Sequence, residues 1–127
     1  MKNTNRTKGH NAERDVAKTF REIGFDKCKT SREASRLHDN CKIDLCFIPF
    51  NVQVKAGFQR GLNPTNEFKD MEEAIKQNFP ERYPEYDYPK VLIHKKQVGK
   101  GKKRTKYDDL IILPLEDFIN IIKNDKE

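Results

Sequence analysis

The sequence predicts an α/β fold, in which helices pack over a sheet. Two stretches with the helical spacing of apolar residues, at about 11–24 and 65–79, are separated and followed by short apolar runs typical of strands. A third helical stretch lies at the C-terminus. The predicted order of elements is therefore α-β-β-β-α-β-β-α. With 127 residues, we expect residues 1–127 to form a single domain with one core.

The composition is that of a polar protein that stays in the cytoplasm. Charged residues make up 36% of the sequence and hydrophobic residues 35%. The sequence has no apolar run of about 18 residues, and its start lacks the apolar core of a signal peptide. The three cysteines, an odd number without paired spacing, suit reduced thiols in the cytoplasm.

The first helix is predicted from Asn11, a suitable N-cap, to Gly24, where a helix-terminating glycine belongs. Residues 1–8 are polar, and we expect a flexible basic arm there. Glu13 lies on the flank of the apolar stripe, so it leans toward whatever the helix packs on. Four residues are expected to form that buried stripe: Ala12, Val16, Phe20 and Ile23.

Three strands are expected next. The first is predicted over 25–31 and is followed by a polar loop or short helical turn over 32–40. The other two alternate with a period of two, over 43–47 and 52–56, which is typical of a β-hairpin. Six residues form its expected buried face: Ile43, Leu45, Phe47, Val52, Val54 and Ala56.

Burial of that apolar face puts Asp44, Gln53 and Lys55 together on the other face, with Asp44 opposite Lys55. An acid, an amide oxygen and a lysine on one face suit a site in which the two oxygens bind a hard cation and the lysine supplies a positive charge beside it. A purely structural explanation remains open. Any exposed antiparallel hairpin alternates polar and apolar residues, and Asp opposite Lys is a common cross-strand pair.

Beyond the hairpin, glycines and Pro64 interrupt the pattern before a second helix over about 65–79. Strands are predicted over 89–94 and 107–113, and the second is so apolar that we expect it to be central or well covered. A C-terminal helix starts near Pro114 with early acids, which suit the helix dipole. The expected core residues of the two helices are Phe68, Met71, Ile75 and Phe79, and Leu115, Phe118, Ile119 and Ile122.

Positive charge is concentrated between the last two strands. The net charge is +6, and residues 95–106 hold seven basic residues and no acid, whereas residues 107–127 hold six acids against two lysines. A glycine-spaced basic loop of this kind is typical of segments that track phosphates. The alternative is a solvated loop whose lysines serve solubility.

Three short patterns carry a family resemblance. Gly9-x3-Glu13-Arg14 on the first helix, Ile43-Asp44 at a strand start and Gln53-x-Lys55 on the next strand resemble the PD-(D/E)xK nuclease superfamily. More narrowly, residues 8–14, followed by a helix ending in Gly-Phe, resemble the N-terminus of archaeal Holliday junction resolvases. The resemblance covers residues 8–56, and beyond them it depends on the order of elements. It implies a restriction-endonuclease-like fold, a mixed central sheet flanked by helices.

The resemblance implies a magnesium-dependent phosphodiesterase, with manganese as a substitute. Its catalytic residues would be Glu13, Asp44, Gln53 and Lys55, and the metal ligands would be Glu13, Asp44, Gln53 and the backbone carbonyl of Val54. Lys55 would orient or help deprotonate the attacking water. Most members have an acid at the position of Gln53, although restriction nucleases similar to the Mrr group also carry Gln-x-Lys. A glutamine offers a neutral oxygen that binds a hard cation but adds no charge.

The expected function is therefore a structure-selective DNA endonuclease similar to Holliday junction resolvases, acting on branched DNA. A homodimer is expected, because a four-way junction has two strands to cut symmetrically. The alternatives are a nuclease of the same fold acting on linear duplex, or a non-catalytic DNA-binding protein in which Gln53 marks a degraded site. The expected DNA contacts are Arg6, Lys8, Arg14, Ser31, Arg32, Arg36, Lys100, Lys102, Lys103 and Arg104.

Overall fold

The computed structural model describes residues 4–57, 61–96, 98 and 100–125, with the backbone alone for residues 4–6. No helix within these ranges is long and apolar enough to cross a membrane. The five helices and five strands found there, with one 3₁₀ turn, are α1 (Thr4–Glu22), β1 (Lys29–Thr30), α2 (Ser31–Ala34), α3 (Arg36–Asn40), β2 (Leu45–Cys46), β3 (Asn51–Ala56), α4 (Pro64–Asn78), the 3₁₀ turn (Pro84–Tyr86), β4 (Lys90–Lys95), β5 (Asp109–Ile112) and α5 (Leu115–Asp125).

The fold is mixed α/β, as predicted. A three-stranded sheet has the order β3-β4-β5, in which β3 and β4 are parallel and β4 and β5 are antiparallel. A separate two-stranded antiparallel sheet joins β1 to β2. Helix α1 packs on one face of β3, where it shares a core with the β3 residues Val52 and Val54.

Helix α1 starts earlier than predicted. It includes residues 4–8, so the expected flexible arm and the expected N-cap at Asn11 are both wrong, whereas residues 1–3 lie outside the described part. Nothing in the polar N-terminal segment breaks a helix except Gly9, and an interior glycine costs only about 1 kcal/mol. The sequence therefore contains no signal strong enough to stop the helix from extending toward the N-terminus beyond Asn11.

The predicted end of α1 is confirmed. Gly24 has a positive φ of 124°, and the Phe25 N–H donates to the Phe20 C=O over 2.9 Å, which is the Schellman arrangement. The rings of Phe20 and Phe25 contact each other edge to face. Ile23, however, is exposed instead of buried, although its N–H still donates to the Thr19 carbonyl oxygen one turn earlier.

The predicted β-hairpin is wrong in its pairing. Strand β2 pairs with β1 and strand β3 with β4, and no ladder joins β2 to β3 among the described residues. Lys42 and Phe47 have positive φ angles of 64° and 67°, a left-handed conformation that interrupts a strand. Phe47 is consequently 60% exposed, although alternation predicted it to be buried. The predicted strand over 25–31 is also reduced to the two residues of β1, and the helices α2 and α3 occupy most of 32–40.

The second helix and the fourth strand lie within one residue of their predicted bounds. Helix α4 forms a second core in which Met71, Ile75 and Phe79 pack with Ile43 and Cys41. Asn63 caps the start of α4, since its side-chain oxygen accepts from the Asn66 N–H over 3.2 Å. All three cysteines are buried and free.

The C-terminal part of the protein differs from its prediction. Strand β5 is the edge of the three-stranded sheet and not a covered central strand, so its Ile111 is 59% exposed. The apolar side of α5 is also exposed, with Leu115 at 72% and Phe118 at 48%. The apolar pattern was recognised correctly, but nothing among the described residues covers it.

Candidate active site

Asp44 directly precedes β2 and is hydrogen-bonded to both α2 and β3. Its backbone carbonyl oxygen accepts from the Ser31 N–H over 2.8 Å, and its N–H donates to the Val52 carbonyl oxygen over 2.7 Å. Its carboxylate Oδ2 accepts from the Val54 N–H over 2.7 Å. Asp44 is therefore beside Val52 and Val54, and the predicted position opposite Lys55 is wrong by this hydrogen-bond pattern.

The environment of Asp44 disfavours its charged form. Burial raises the pKa of Asp44 from 3.8 to about 7; the charges of Glu13 and Asp39 also raise it, while the hydrogen bond from Val54 and the charge of Arg32 lower it. A carboxyl with such a pKa is partly protonated near neutral pH and has to lose its proton before it can bind a cation. Strongly shifted carboxyls of this kind are frequent at functional sites.

Glu13 is buried, with 4% of its surface exposed, and lies close enough to Asp44 to influence its pKa. The helix α1 presents it there because the neighbouring residues Ala12 and Val16 pack on the sheet, as the sequence predicted. Arg32 binds the Glu13 carboxylate with two nitrogens, Nε to Oε1 at 3.1 Å and Nη2 to Oε2 at 3.4 Å. The Arg32 side chain is partly exposed, so the pair connects the interior to the surface.

Gln53 and Val54 offer two neutral oxygens beside Asp44. Gln53 is only 6% exposed, and its Oε1 is buried without a hydrogen-bond partner in the described part of the protein. A buried acceptor without a donor costs free energy, so such an atom is a candidate ligand. The Val54 N–H points toward Asp44, and the carbonyl of a strand residue points to the same side as its own N–H. The Val54 carbonyl is thus directed to the same region.

Lys55 is on the same face of β3 as Gln53, because side chains alternate along a strand. Its Nζ lies 3.6 Å from Oε1 of Glu67, an acid in the first turn of α4. The side chains of Lys55 and Glu67 are 27% and 23% exposed. Lys55 is therefore paired with Glu67 and not with Asp44.

Four oxygen donors around Asp44 are of the chemical kind that binds a hard divalent cation. No three His, Cys, Asp or Glu side chains converge in the described ranges, so the candidate donors are two carboxylates, of Glu13 and Asp44, and two neutral oxygens, of Gln53 and Val54. All four are oxygen donors of the kind that magnesium and calcium prefer. The unpartnered Oε1 of Gln53 gives structural support to this set, since a cation would satisfy it.

The expected DNA contacts fall into several groups. Arg14 and Arg32 line a cleft of about 510 Å³ next to Glu13. Lys8 and Arg104 line a second cleft of about 210 Å³ beside α1. The remaining expected residues in the described part, apart from Ser31, are exposed on α3 or on the basic loop: Arg36, Lys100, Lys102 and Lys103.

Two expected contacts, Ser31 and Arg6, are not among the exposed basic residues. Ser31 is 1% exposed, and its hydroxyl lies 3.4 Å from Cys46 Sγ, so the expectation that it contacts phosphate is wrong in this structure. Its backbone N–H is committed to Asp44. The side chain of Arg6 lies outside the described part of the protein, although its backbone belongs to α1.

Sequence reasoning missed two residues at these sites, His10 and Glu67. Lys95 and Lys96, which belong to the predicted basic loop, line the cleft with Lys8. His10 lines the cleft with Glu13 and carries a buried Nε2 without a hydrogen-bond partner among the described residues. Glu67 was missed although it carried a signal. It stands four residues before Met71, on the buried side of α4, where a charged residue requires a reason.

No family model, curated protein or solved structure matches the sequence.

Proposed function

We propose that this protein is a magnesium-dependent DNA endonuclease of the junction-resolving type. The observation that carries the proposal is the environment of Asp44, a carboxyl with a raised pKa that lies close to Glu13 and is hydrogen-bonded to the strand that carries Gln53 and Lys55. A restriction-endonuclease-like arrangement belongs to the same proposal. It is supported by a mixed sheet with α1 on one face of β3 and Glu67 of α4 reaching Lys55 on the other.

In this proposal four groups hold the cation: the carboxylates of Glu13 and Asp44, the Gln53 side-chain oxygen and the Val54 carbonyl. Magnesium, when bound, would polarise a phosphate oxygen and lower the pKa of a bound water molecule. Asp44 releases the proton that its raised pKa retains in the metal-free protein. Arg32 balances the charge of Glu13 before substrate binds.

Lys55 is the proposed catalytic lysine. Its ammonium group is partly exposed, and its contact with Glu67 at 3.6 Å is too long for a strong hydrogen bond. The three N–H donors of the ammonium remain available for the non-bridging oxygens of a phosphodiester. Stabilisation of the negative charge that develops on those oxygens is the largest contribution such a residue can make.

The DNA contacts of the proposal are the basic residues around α1 and on the basic loop. Lys8, Lys95, Lys96 and Arg104 line one cleft, and Arg32 lies at the cleft beside Glu13. The Arg104 guanidinium contacts the Asp109 carboxylate and donates to the Lys96 carbonyl oxygen over 2.9 Å, which holds the base of the loop in place. Lysines and arginines arranged in this way bind phosphates without reading sequence.

The proposal includes a homodimer formed through β5 and α5. The outer edge of β5 pairs with no strand in the described part, and the apolar side of α5 beside it is exposed. Exposed apolar patches rimmed by polar residues mark interaction surfaces. A two-fold axis through this patch would place the same residues of both copies in contact, as a self-complementary interface requires.

One observation favours a second candidate, a non-catalytic DNA-binding protein. Position 53 has no charge to offer a cation, and the positive charge of Lys55 already has an acid, Glu67, 3.6 Å away. Binding to DNA would then depend on salt and not on magnesium. The basic clefts serve both candidates equally.

The experiment that tests the proposal is cleavage of a labelled four-way junction and a matched linear duplex, each with magnesium or with chelator. Paired magnesium-dependent cuts confined to the junction are expected. Magnesium-dependent cutting of both substrates would instead establish a nuclease for linear duplex. Tight binding without any cutting would overturn the endonuclease proposal and leave the DNA-binding protein.

A further inference from the structure

Arg32 engages both oxygens of the Glu13 carboxylate. Its Nε donates to Oε1 at 3.1 Å and its Nη2 donates to Oε2 at 3.4 Å. The side chain of Glu13 is 6% exposed, whereas that of Arg32 is 43% exposed. The guanidinium therefore reaches a buried carboxylate from the surface, where a group that arrives from outside the protein can contact it.

The guanidinium also acts on Asp44, the second carboxylate of the candidate cation site. Burial raises the pKa of Asp44, and the positive charge of Arg32 partly offsets that effect. The hydrogen bond with Glu13 raises the pKa of Arg32, and the negative charges of Glu13, Asp39 and Asp44 raise it further. Arg32 thus supplies positive charge to the region in which a divalent cation would bind.

Arg32 and a divalent cation compete for this region through their charges. A carboxylate has about four lone-pair sites, so Glu13 could contact both groups at once. With Arg32 in place, however, the carboxylates of Glu13 and Asp44 keep a net charge of at most minus one, and protonation of Asp44 cancels it. When Arg32 leaves, the full charge of both carboxylates is available to the cation.

A phosphate of DNA is a group that can draw Arg32 away from Glu13. Arg32 lines the cleft of about 510 Å³ together with Arg14 and Thr30. A guanidinium binds phosphate with the same two-pronged geometry with which it binds a carboxylate. After the exchange Arg32 contacts the phosphate and Glu13 contacts the cation, so each charged group keeps a partner of opposite sign.

We propose that Arg32 closes the cation site while DNA is absent, and that a DNA phosphate opens it by drawing Arg32 away from Glu13. The inference rests on the cation of the proposed function and concerns the regulation of that site. Cation binding and DNA binding strengthen each other, since both favour the state in which Arg32 has left Glu13. Arg32 is in this sense a positioning residue, which delays cation binding until substrate is present.

The first test is calorimetric titration of the DNA-free protein with magnesium and, separately, with manganese. Arg32→Gln keeps an N–H donor for Glu13 but removes the positive charge, so cation binding should strengthen roughly 10-fold. Arg32→Lys keeps the charge and should remain close to wild type. Arg14→Gln is the matched control, because Arg14 lines the same cleft but bonds to Asn11, and its cation binding should not change.

A purely structural role of Arg32 predicts the opposite sign. If Arg32 only supported the fold, Arg32→Gln would loosen the site and weaken cation binding. Circular dichroism of each variant checks that the fold is retained.

The second test measures the coupling to DNA. Lys55→Ala is used to prevent cutting, and its affinity for a labelled four-way junction is measured at constant ionic strength with magnesium and with chelator. Magnesium should strengthen binding about 5-fold or more. The gain should be smaller when Arg32→Gln is added to Lys55→Ala, because the site is then already open. Any effect of magnesium on the DNA alone is the same for both proteins.

The outcomes separate this inference from the proposed function. Unchanged or weakened cation binding by DNA-free Arg32→Gln would overturn the closing role of Arg32, as would an equal gain in Arg14→Gln. An equal effect of magnesium on junction binding with and without Arg32→Gln would overturn the coupling to DNA. The nuclease proposal is decided separately, by cleavage of the junction by the wild-type protein.

Discussion

Asp44 and Val54 are joined by a 2.7 Å hydrogen bond in which the backbone N–H of Val54 donates to Oδ2 of Asp44. The bond holds a carboxyl of raised pKa against the strand that carries Gln53 and Lys55. Because the Asp44 backbone also bonds to Ser31 of α2, this one residue connects α2 to β3. The proposed chemistry and the packing of the fold therefore meet at Asp44.

The first prediction concerns pH and the stability of the metal-free protein. Since the pKa of Asp44 is 3.8 ordinarily and about 7 when folded, the folded state binds more protons between these values. The free energy of unfolding contributed by Asp44 should fall as pH rises through that window and level off above it. Asp44→Asn keeps an oxygen for the Val54 N–H and removes the titration. Urea unfolding with chelator at several pH values measures the slope, and equal slopes for both proteins would contradict the raised pKa.

Replacement of Arg32 should destabilise the fold. Arg32→Ala leaves the buried Glu13 carboxylate without its charged partner, which is expected to cost about 2 kcal/mol of unfolding free energy. Arg14→Ala is the control, because exposed Arg14 lines the same cleft but bonds to Asn11; a change within about 0.5 kcal/mol is expected there. Denaturant unfolding gives both values. Equal effects of the two replacements would show that Arg32 does not support Glu13.

The basic loop should govern the salt dependence of DNA binding. Replacement of Lys100, Lys102 and Lys103 by alanine should weaken binding and reduce the slope of log affinity against log salt. The expected reduction is about 0.9 for each lysine that contacts a phosphate of duplex DNA. Fluorescence anisotropy over a salt series measures the slope. The control replaces Lys18, Lys69 and Lys76, exposed lysines of α1 and α4; an equal reduction there would show that the loop contributes only net charge.

The exposed apolar side of α5 should mediate self-association. Phe118→Glu places a charge in the centre of the proposed interface and should convert a dimer to a monomer without loss of helix content, since Phe118 is partly exposed within one protomer. Analytical ultracentrifugation measures the mass. Asn120→Glu, on an exposed position of the same helix, should leave the dimer intact. A monomeric wild-type protein at micromolar concentration would contradict the dimer.

Local patterns in the sequence predicted those elements whose signals are themselves local. The Gly24 cap, the stripe of Met71 and Ile75, and the orientation of Glu13 toward the packing surface follow from spacing along one helix, and the structure confirms them. The strand β4 was similarly clear from its apolar run. The spacing of apolar residues shows which face of a helix or strand is apolar. For predictions that concern a single element, this information is sufficient.

Features that depend on residues distant in the sequence could not be predicted from local patterns. Exposure of Ile111 and Leu115 depends on what covers them, and an apolar pattern does not state that. The left-handed turns at Lys42 and Phe47 break a hairpin whose alternation is otherwise regular, and neither residue type favours such a turn. The contact of Lys55 with Glu67 joins residues on two elements, so spacing within either one could not reveal it.

The most direct test of the central claim is cleavage of a labelled four-way junction with magnesium by the wild-type protein, Lys55→Ala and the control Lys76→Ala. Binding of each protein to the junction is measured in parallel with chelator. Paired cuts by wild type and control are expected, with cleavage by Lys55→Ala slower by at least about 100-fold and binding largely kept. Equal cleavage by Lys55→Ala would contradict the assignment of the catalytic lysine, and binding without cleavage by all three proteins would contradict the nuclease itself.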